Sequence, residues 1–318
     1  MKHKRVLVTG GTGFVGSHLV KALVELGAHV VTTFLQLDPQ SYFMTEGLDK
    51  KTVMERIDLV EFDRVFDLVT KHEIEYIFHL AAQPLVDVAY YNPRRTLESN
   101  INGTINILES ARLYPKVKGI IVASSDKAYG KHGKVKYKED DALKGDHPYE
   151  VSKSAADLIC TSYAKTYDLP VVVTRFGNIY GEGDLNFSRI IPGVMQALVT
   201  GETLELRSDG SFVRDYLYVK DVVNGYLLLA ENIEKAKGQA YNFGSDDSFS
   251  VLDLVDAVEK SLKTNIPYKI LNTAKNEIPY QSLDCSKINN DFGWEQKYVL
   301  SNVSKQISKW YSDSLREK

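Results

Sequence analysis

The sequence predicts an α/β fold, a doubly wound parallel sheet followed by a smaller C-terminal lobe. Strand-like and helix-like segments alternate through residues 5–176. The strand-like segments are continuous apolar runs, as expected for parallel strands that are buried on both faces. A glycine-rich turn joins the first strand to the first helix. The 318 residues are enough for one large α/β domain with a lobe attached.

The predicted elements follow in a regular order. The first helix, 14–27, has apolar residues on one face and Gly27 as its stop signal. The remaining predicted helices are 61–72, 95–113 and 149–167. The predicted strands are 5–11, 29–34, 52–59, 74–82, 117–125 and 170–176. Strands that alternate with helices in this way are typical of a parallel sheet with helical crossovers.

The pattern changes after about residue 177. Turn-rich segments at 177–184 and 207–215 lie between helical stretches. We therefore expect the first domain to contain 1–177 and a return segment at about 213–240. The smaller lobe would contain about 178–212 and 241–318. Because no low-complexity linker separates them, the two should pack closely.

The composition excludes several classes of protein. Hydrophobic residues make up 43% and charged residues 25% of the chain, and the formal net charge is −3. With no basic stripe, signal-like stretch or run of membrane-spanning length, we expect neither a nucleic-acid nor a membrane partner. The two cysteines, Cys160 and Cys285, lie far apart without metal-like spacing. We expect no metal and a cytoplasmic protein with reduced thiols.

The first turn carries a phosphate-binding pattern, "VLVTGGTGFVGSHL". Glycines at this spacing allow a tight turn and let backbone amides approach a pyrophosphate at a helix N-terminus. A plain strand–turn–helix connection is the alternative. The preceding strand and the following helix favour a Rossmann dinucleotide-binding turn. Its candidate cofactor contacts are Gly10, Thr12, Gly13, Phe14, Val15 and Gly16.

The end of the second strand bears on the choice of cofactor. An acidic residue often stands there to bind the adenosine ribose hydroxyls. In this chain Phe34 takes that place, and Asp38 follows further along. No arginine stands there to hold a 2′-phosphate. This strand end favours NAD but leaves the choice between NAD and NADP open.

The sequence "PYEVSK" contains Tyr149 and Lys153, four residues apart. On a helix this spacing puts both side chains on one face. An ammonium near a phenol favours the phenolate, so Lys153 would lower the pKa of Tyr149 and prepare it for proton transfer. The alternative is an ordinary pair on an exposed helix face.

Taken with the glycine turn, these residues mark a resemblance over essentially the whole chain. The chain resembles the extended short-chain dehydrogenase/reductase superfamily, specifically its nucleotide-sugar epimerases and dehydratases. The motifs that carry the resemblance are "VTGGTGFVG" (8–16), "HLAAQ" (79–83), "SNINGT" (99–104), "SSDKAYG" (124–130), "YEVSK" (149–153), "RFGNIYG" (175–181), "RDYLYVKDVV" (214–223), "YNFGS" (241–245) and "LDCSKINNDFGW" (283–294).

The resemblance implies roles for further residues. NAD would be the cofactor and would contact the glycine turn, Tyr149, Lys153, Asp58, Leu59, Leu80, Ala81, Ala82, Gln83 and Asn100. A sugar nucleotide would be the substrate and would contact Gln83, Ser125, Asn178 and Arg214. Fixed cations and amide donors suit a diphosphate. The family also implies a homodimer built from the helices at about 95–113 and 149–167.

The stretch "SSDKAYG" separates two reactions within the family. A 4-epimerase needs Tyr149 and Ser125 but no further acid or base. A 4,6-dehydratase must also remove the C5 proton and protonate the leaving C6 hydroxyl. The pair Asp126–Lys127 resembles the cytidine-linked branch, CDP-glucose 4,6-dehydratase, as do "HLAAQPLV" and the Phe34 strand end. Asp126 would be the acid and Lys127 the base.

Two physical conditions attach to that interpretation. An acidic Asp126 must hold its proton and a basic Lys127 must be neutral, the reverse of a free ion pair, so the site must be desolvated. Neighbouring residues on a strand face opposite ways, so both reach one sugar only if the strand has ended at Ser125.

Three functions follow from these observations. A 4,6-dehydratase is the first hypothesis. A 4-epimerase is the alternative, because "RDYLYVKDVV" is also typical of epimerases and thymidine-linked dehydratases. The third is an NAD-binding regulator without catalysis, against which the intact Ser125, Tyr149 and Lys153 argue. The nucleotide base and the sugar are left open.

Overall fold

The computed structural model describes residues 1–273 and 278–316. Four residues of the predicted lobe, 274–277, and the last two, 317–318, lie outside the described residues. The strands are β1 (Arg5–Thr9), β2 (His29–Phe34), β3 (Val53–Arg56), β4 (Tyr76–His79), β5 (Gly119–Ala123), β6 (Val171–Phe176), β7 (Asn178–Tyr180), β8 (Leu204–Leu206), β9 (Val213–Tyr218), β10 (Ala240–Phe243), β11 (Ser248–Ser250), β12 (Tyr268–Ile270) and β13 (Tyr280–Gln281).

The α-helices are α1 (Phe14–Glu25), α2 (Tyr42–Thr45), α3 (Phe62–Lys71), α4 (Val86–Tyr91), α5 (Pro93–Leu97), α6 (Gly103–Leu113), α7 (Pro148–Tyr167), α8 (Ile190–Thr200), α9 (Val219–Glu231), α10 (Ile233–Ala236), α11 (Val251–Leu262), α12 (Ser286–Phe292) and α13 (Leu300–Arg316). Short 3-10 turns span Leu48–Lys50 and Asp126–Tyr129. A π-helical turn, Glu98–Asn102, joins α5 to α6.

The large sheet confirms the predicted doubly wound α/β fold. Its seven strands are all parallel and run in the order β10-β6-β5-β4-β1-β2-β3. The chain builds outward from β1 through β3 on one side and from β4 on the other. The order therefore reverses between β1 and β4, and ligands bind at the carboxyl ends of the strands flanking such a reversal.

The core lies on both faces of this sheet because successive strand residues point to opposite sides. On β1, Val6 and Val8 pack into the cluster under α1 and α9. Leu7, between them, packs into the cluster under α3, α6 and α7. This explains why the strand is apolar without alternation.

The smaller lobe contains a four-stranded sheet in which β9 contacts β7, β11 and β13, and a two-stranded sheet of β8 and β12. Helices α8, α11 and α13 supply most of its apolar core. The segment that returns to the large sheet is not the expected 213–240. Strand β9 belongs to the lobe sheet, whereas α9 packs on the large sheet and β10 forms its edge. Tyr216 and Tyr218 pack in the lobe core, which holds β9 there.

Among the residues that the structure describes, no helix is long and apolar enough to cross a membrane.

Candidate active site

The predicted glycine turn lies where β1 ends and α1 begins. Gly10 has a φ of +69°. A Cβ added to Gly10 would stand 2.9 Å from the backbone of Ala81, at the end of β4. A Cβ on Gly16 would overlap the carbonyl oxygen of Gly10. Gly10 thus lets the turn approach the end of β4, and Gly16 lets α1 pack closely on the turn.

Gly13 has a different environment. Within the described part of the chain, an added Cβ would meet only the Gly10 carbonyl oxygen, at 3.3 Å. Gly13 is the N-cap of α1, yet no side chain among residues 1–273 and 278–316 caps this end of the helix, and its first turn has no acidic residue. The N-terminal amides of α1 are therefore left for an anion. This arrangement fits the pyrophosphate of a dinucleotide.

The other predicted cofactor residues follow neighbouring strands. Asp58 and Leu59 come after β3, and residues 80–83 come after β4. Asn100 is buried, accepts a bond from Gln83 N at 2.7 Å, and donates to Gln83 O at 3.2 Å and to Ser152 Oγ at 2.9 Å. Its amide is committed to these partners. Asn100 lies in the π-helical turn Glu98–Asn102, and we interpret it as the residue that fixes the backbone of the loop after β4.

His79 lies at the buried end of β4 and is explained by packing. One ring nitrogen, Nδ1, is 2.8 Å from Thr9 Oγ1, and the other, Nε2, is 3.1 Å from Thr104 Oγ1. Burial, helped by the charge of Lys153, lowers the pKa of His79 to about 3. The ring is therefore neutral at physiological pH.

Tyr149 and Lys153 both lie on α7 and both are buried. Lys153 Nζ donates to the Ala123 carbonyl at the end of β5, at 2.9 Å. Burial lowers the pKa of Lys153 to about 8, although Cys160 and Asp157 oppose the change. The lysine is thus directed to the strand end that carries the "SSDKAYG" segment.

The pKa of Tyr149 is raised, and the lowering expected from Lys153 is not among the effects that set it. Burial and then the charge of Asp126 raise the pKa of Tyr149 to about 12, against a hydrogen bond from Ser125 and the charge of Arg189. Removing a phenolate from water costs more free energy than these two groups return. Because the Lys153 ammonium bonds to the strand end, it does not offset that cost.

The predicted strand 117–125 ends two residues early, at Ala123. Ser125 instead caps the 3-10 turn Asp126–Tyr129, accepting a bond from Lys127 N at 3.2 Å. Its hydroxyl also donates to Asp126 Oδ1 at 3.0 Å. Consecutive side chains on a 3-10 turn diverge by about 120° rather than by the half-turn of a strand. The condition for both side chains to serve one site is therefore met.

Asp126 and Lys127 have different surroundings. The Asp126 side chain is buried, and burial raises its pKa although Lys127, Ser125 and Arg214 act in the other direction. The raised pKa favours the protonated form of the Asp126 carboxyl group. The Lys127 ammonium extends to the smaller lobe, where Nζ donates to Gln281 Oε1 at 3.4 Å.

Asn178 and Arg214 lie on neighbouring strands of the lobe sheet. Asn178 on β7 pairs in register with Tyr216, and Arg214 on β9 pairs with Gln281 on β13. Arg214 is buried and its Nη1 donates to the Val213 carbonyl at 2.8 Å. Its charge opposes the rise in the pKa of Asp126, so it acts on the 3-10 turn Asp126–Tyr129.

Two residues of this site are absent from the sequence-based prediction. Arg189, the N-cap of α8, lowers the pKa of Tyr149. Gln281 contacts Lys127 across the two sheets. Neither lies in a motif with a mechanism of its own, and both are distant from α7 along the chain. Within the described residues, no cluster of three or more His, Cys, Asp or Glu side chains is arranged to hold a metal ion.

The fold and the site together define a Rossmann-type dinucleotide-binding protein with a serine just after β5 and a buried tyrosine and lysine on α7. The chain belongs to the NAD dependent epimerase/dehydratase family, whose model matches residues 6–244. This membership confirms the resemblance found in the sequence. NAD is accordingly its cofactor, and the open glycine turn fits it.

Several proteins resemble this chain along nearly all of its length. CDP-glucose 4,6-dehydratase of Salmonella typhimurium is 29% identical over 98% of this chain and 92% of its own. The structure of dTDP-glucose 4,6-dehydratase from Bacillus anthracis, in complex with NAD, is 25% identical, with a TM-score of 0.84 over 98% of this chain and 97% of its own. UDP-glucose 4-epimerase of Thermotoga maritima is 29% identical, with a TM-score of 0.87 over 98% and 99%.

Proposed function

We propose that this protein is an NAD-dependent nucleotide-sugar 4,6-dehydratase. It would convert a nucleotide-linked hexose into the 4-keto-6-deoxyhexose and release one water. The observation that carries the proposal is the 3-10 turn after β5, which presents Asp126 and Lys127 beside Ser125. Of these three residues, an epimerase would need only Ser125.

Each residue of the site would have one task. Tyr149, in its phenolate form, would take the proton of the C4 hydroxyl, while Ser125 would hold that oxygen through its own hydroxyl. Because burial raises the pKa of Tyr149, the bound cofactor and substrate must favour this phenolate. Lys127 would act as the base that removes the C5 proton made acidic by the 4-ketone, and it would return a proton to C5 after the C6 hydroxyl has left. Asp126 would donate its proton to the C6 hydroxyl, which leaves as water. When bound at the glycine turn, NAD would supply the hydride-transfer chemistry that oxidises C4 and reduces C6, so the cofactor would not be consumed.

The raised pKa of Asp126 supports its part in this sequence, because a buried carboxyl retains the proton that an acid must deliver. Asn178 and Arg214 would bind the diphosphate from the lobe side. We propose CDP-glucose as the first substrate to test, because Asp126–Lys127 is the pair of the cytidine-linked branch and a CDP-glucose 4,6-dehydratase is among the relatives.

A 4-epimerase is the second candidate. Ser125, Tyr149 and Lys153 are sufficient for it, and an epimerase from Thermotoga maritima matches this chain as well in identity as the cytidine-linked dehydratase does. On that alternative, Asp126 and Lys127 would be a loop pair without a proton-transfer role. A silent NAD-binding regulator would bind the cofactor but convert no sugar nucleotide.

Mass spectrometry on the purified protein separates these candidates. The protein is incubated in D2O with NAD and a panel of CDP-, dTDP-, UDP- and GDP-linked hexoses. A product lighter by one water that carries deuterium at C5 is expected. A product of unchanged formula but altered stereochemistry by NMR would make the protein an epimerase. If the protein binds the cofactor but forms no product, the NAD-binding regulator is the hypothesis that remains.

Two variants then test the assigned roles. Lys127→Met should stop deuterium entry at C5 while oxidation at C4, followed by cofactor absorbance in a single turnover, continues. Asp126→Asn should permit C5 exchange but slow water loss, by about 10²- to 10⁴-fold. Lys131→Met, at an exposed lysine just after the 3-10 turn, is the matched control and should behave as wild type.

We also propose that the protein is a cytoplasmic homodimer. Val151 and Leu158 on α7 are 38% and 59% exposed and lie seven residues apart, on one helix face. A second copy of α7 would cover them. Light scattering should show a dimer, and Leu158→Asp should shift it towards monomer. A monomeric wild type would contradict the proposal.

A further inference from the structure

The side chain of Lys127 is hydrogen-bonded to a residue of the smaller lobe, Gln281. Lys127 Nζ donates to Gln281 Oε1 at 3.4 Å, a contact between the 3-10 turn Asp126–Tyr129, the catalytic turn of the proposed function, and the lobe sheet. The Gln281 side chain is 1% exposed. Gln281 ends β13, which pairs with β9 through Arg214. A buried side chain on a paired strand has little freedom, so its oxygen is a fixed acceptor.

The segment that carries Gln281 is anchored immediately after it. The Ser282 carbonyl accepts a bond from Tyr137 N at 2.9 Å. Leu283 N donates to Asp215 Oδ2 at 2.8 Å. Within the described part of the chain, the Gln281 Nε2 donor is buried and has no hydrogen-bond partner. This is a costly arrangement in a folded protein, and such groups call for an explanation beyond packing.

The amide suits a lysine that must act as a base. A carboxylate at this position would stabilise the ammonium form and weaken the base. An aliphatic side chain would leave the long lysine chain free to adopt other rotamers. An amide oxygen orients Nζ while adding no negative charge.

We propose that Gln281 is a positioning residue for Lys127, holding its amine for proton removal at C5 without stabilising the charged form. The inference rests on the proposed 4,6-dehydratase function. The residue acts through Lys127 and is not itself assigned a step in the chemistry.

Other charged and titratable groups surround the turn and stay constant in the test. Asp126 precedes Lys127, Tyr149 faces the turn from α7, Arg214 and Asp215 come from β9, and Tyr137 comes from the loop before α7. Burial raises the pKa of Asp215 to about 6. Because a carboxylate at position 281 would also act on Arg214, its register partner, and on Asp215, the uncharged Gln281→Leu variant is measured beside Gln281→Glu.

The experiment compares wild type with Gln281→Glu and Gln281→Leu, each loaded with NAD. The pH dependence of C5 deuterium exchange and of water loss is measured with the substrate that wild type accepts. Gln281→Glu should move the rising limb of both profiles to higher pH by about one unit, because the carboxylate favours the ammonium. Gln281→Leu should lower kcat by roughly ten- to a hundredfold, with KM and C4 oxidation nearly unchanged.

Gln239→Glu is the matched control. Gln239 Oε1 also accepts a bond from a lysine, Lys287 Nζ, at 2.9 Å. Gln239 directly precedes β10 and Lys287 lies on α12, so neither belongs to the catalytic turn. The same chemical change there should leave both profiles at their wild-type positions.

The outcomes separate the two proposals. If wild type releases no water from any sugar nucleotide, the dehydratase proposal fails and the role of Gln281 fails with it. If wild type dehydrates its substrate but both folded variants retain the wild-type profile, kcat and C5 exchange, only the positioning role is overturned. Should Gln281→Glu not fold, the ratio of C5 exchange to C4 oxidation in Gln281→Leu decides, since a structural defect would lower both.

Discussion

Asp157 and Arg175 form a two-pronged ion pair inside the protein. Arg175 Nε donates to Asp157 Oδ2 at 2.8 Å, and Nη2 donates to Oδ1 at 2.9 Å. Asp157 lies one turn after Lys153 on α7, and Arg175 lies on β6. Arg175 also donates to the Tyr129 hydroxyl at 2.7 Å. The pair therefore joins the helix that carries Tyr149 to the sheet and to the 3-10 turn.

Removing one partner of this pair should destabilise the protein strongly. Arg175→Met leaves the Asp157 carboxylate buried without its cation, which costs about 3–5 kcal/mol of unfolding free energy. Urea denaturation followed by circular dichroism measures the change. Arg64→Met removes an exposed partner of Glu61 and should cost less than about 1 kcal/mol. Equal losses in the two variants would contradict this interpretation.

His79 should make the protein sensitive to acid. Its pKa is lowered from 6.5 to about 3 by burial, so the unfolded chain binds a proton between these values and the folded chain does not. Stability is therefore lost as the pH falls below 6.5, by about 2 kcal/mol at pH 5. His79→Gln should have a smaller unfolding free energy at neutral pH but should lack this loss.

The acid sensitivity of His79→Gln is compared with that of His29→Gln, at an exposed histidine on β2. The latter should retain the wild-type decline between pH 6.5 and 5. Identical declines in wild type and His79→Gln would show that other groups cause the acid sensitivity.

Tyr149→Phe should remove the first proton transfer. Without the phenol oxygen no side chain takes the C4 proton, and kcat should fall by about 10²- to 10⁴-fold. NAD affinity, from fluorescence titration, should change little. Tyr167→Phe on the same helix is the control, because Tyr167 is 54% exposed. A comparable loss of activity in both variants would argue against the assigned role.

A side chain at Gly13 should exclude the cofactor while the fold persists. Gly13 has an extended backbone that other residues adopt, and an added Cβ meets only the Gly10 carbonyl oxygen in the described chain. Gly13→Ala and Gly13→Val should weaken NAD binding progressively, the valine by more than about tenfold. Calorimetry gives the affinity, and cofactor-free urea denaturation checks the fold. Undiminished affinity in the valine variant would place the pyrophosphate elsewhere.

Much of the fold could be predicted because local pattern determines it. Apolar runs separated by amphipathic segments indicate parallel strands and crossover helices wherever they occur. The differences from the prediction arise from a local hydrogen bond in one place and from packing of the smaller lobe in another. The predicted strand 117–125 ends at Ala123 because the Ser125 hydroxyl caps a turn. Residues 213–240 were expected to return to the large sheet, but they begin with β9, whose Tyr216 and Tyr218 pack in the core of the smaller lobe.

The sequence by itself determined the glycine turn, the spacing of Tyr149 and Lys153 and the family, since each is written in neighbouring residues. The tertiary structure alone decided which distant groups surround them, including Arg189 and Gln281. It also decided the directions of the pKa changes at Tyr149 and Asp126. Those directions depend on burial, and burial is set by how separate segments pack rather than by any single segment.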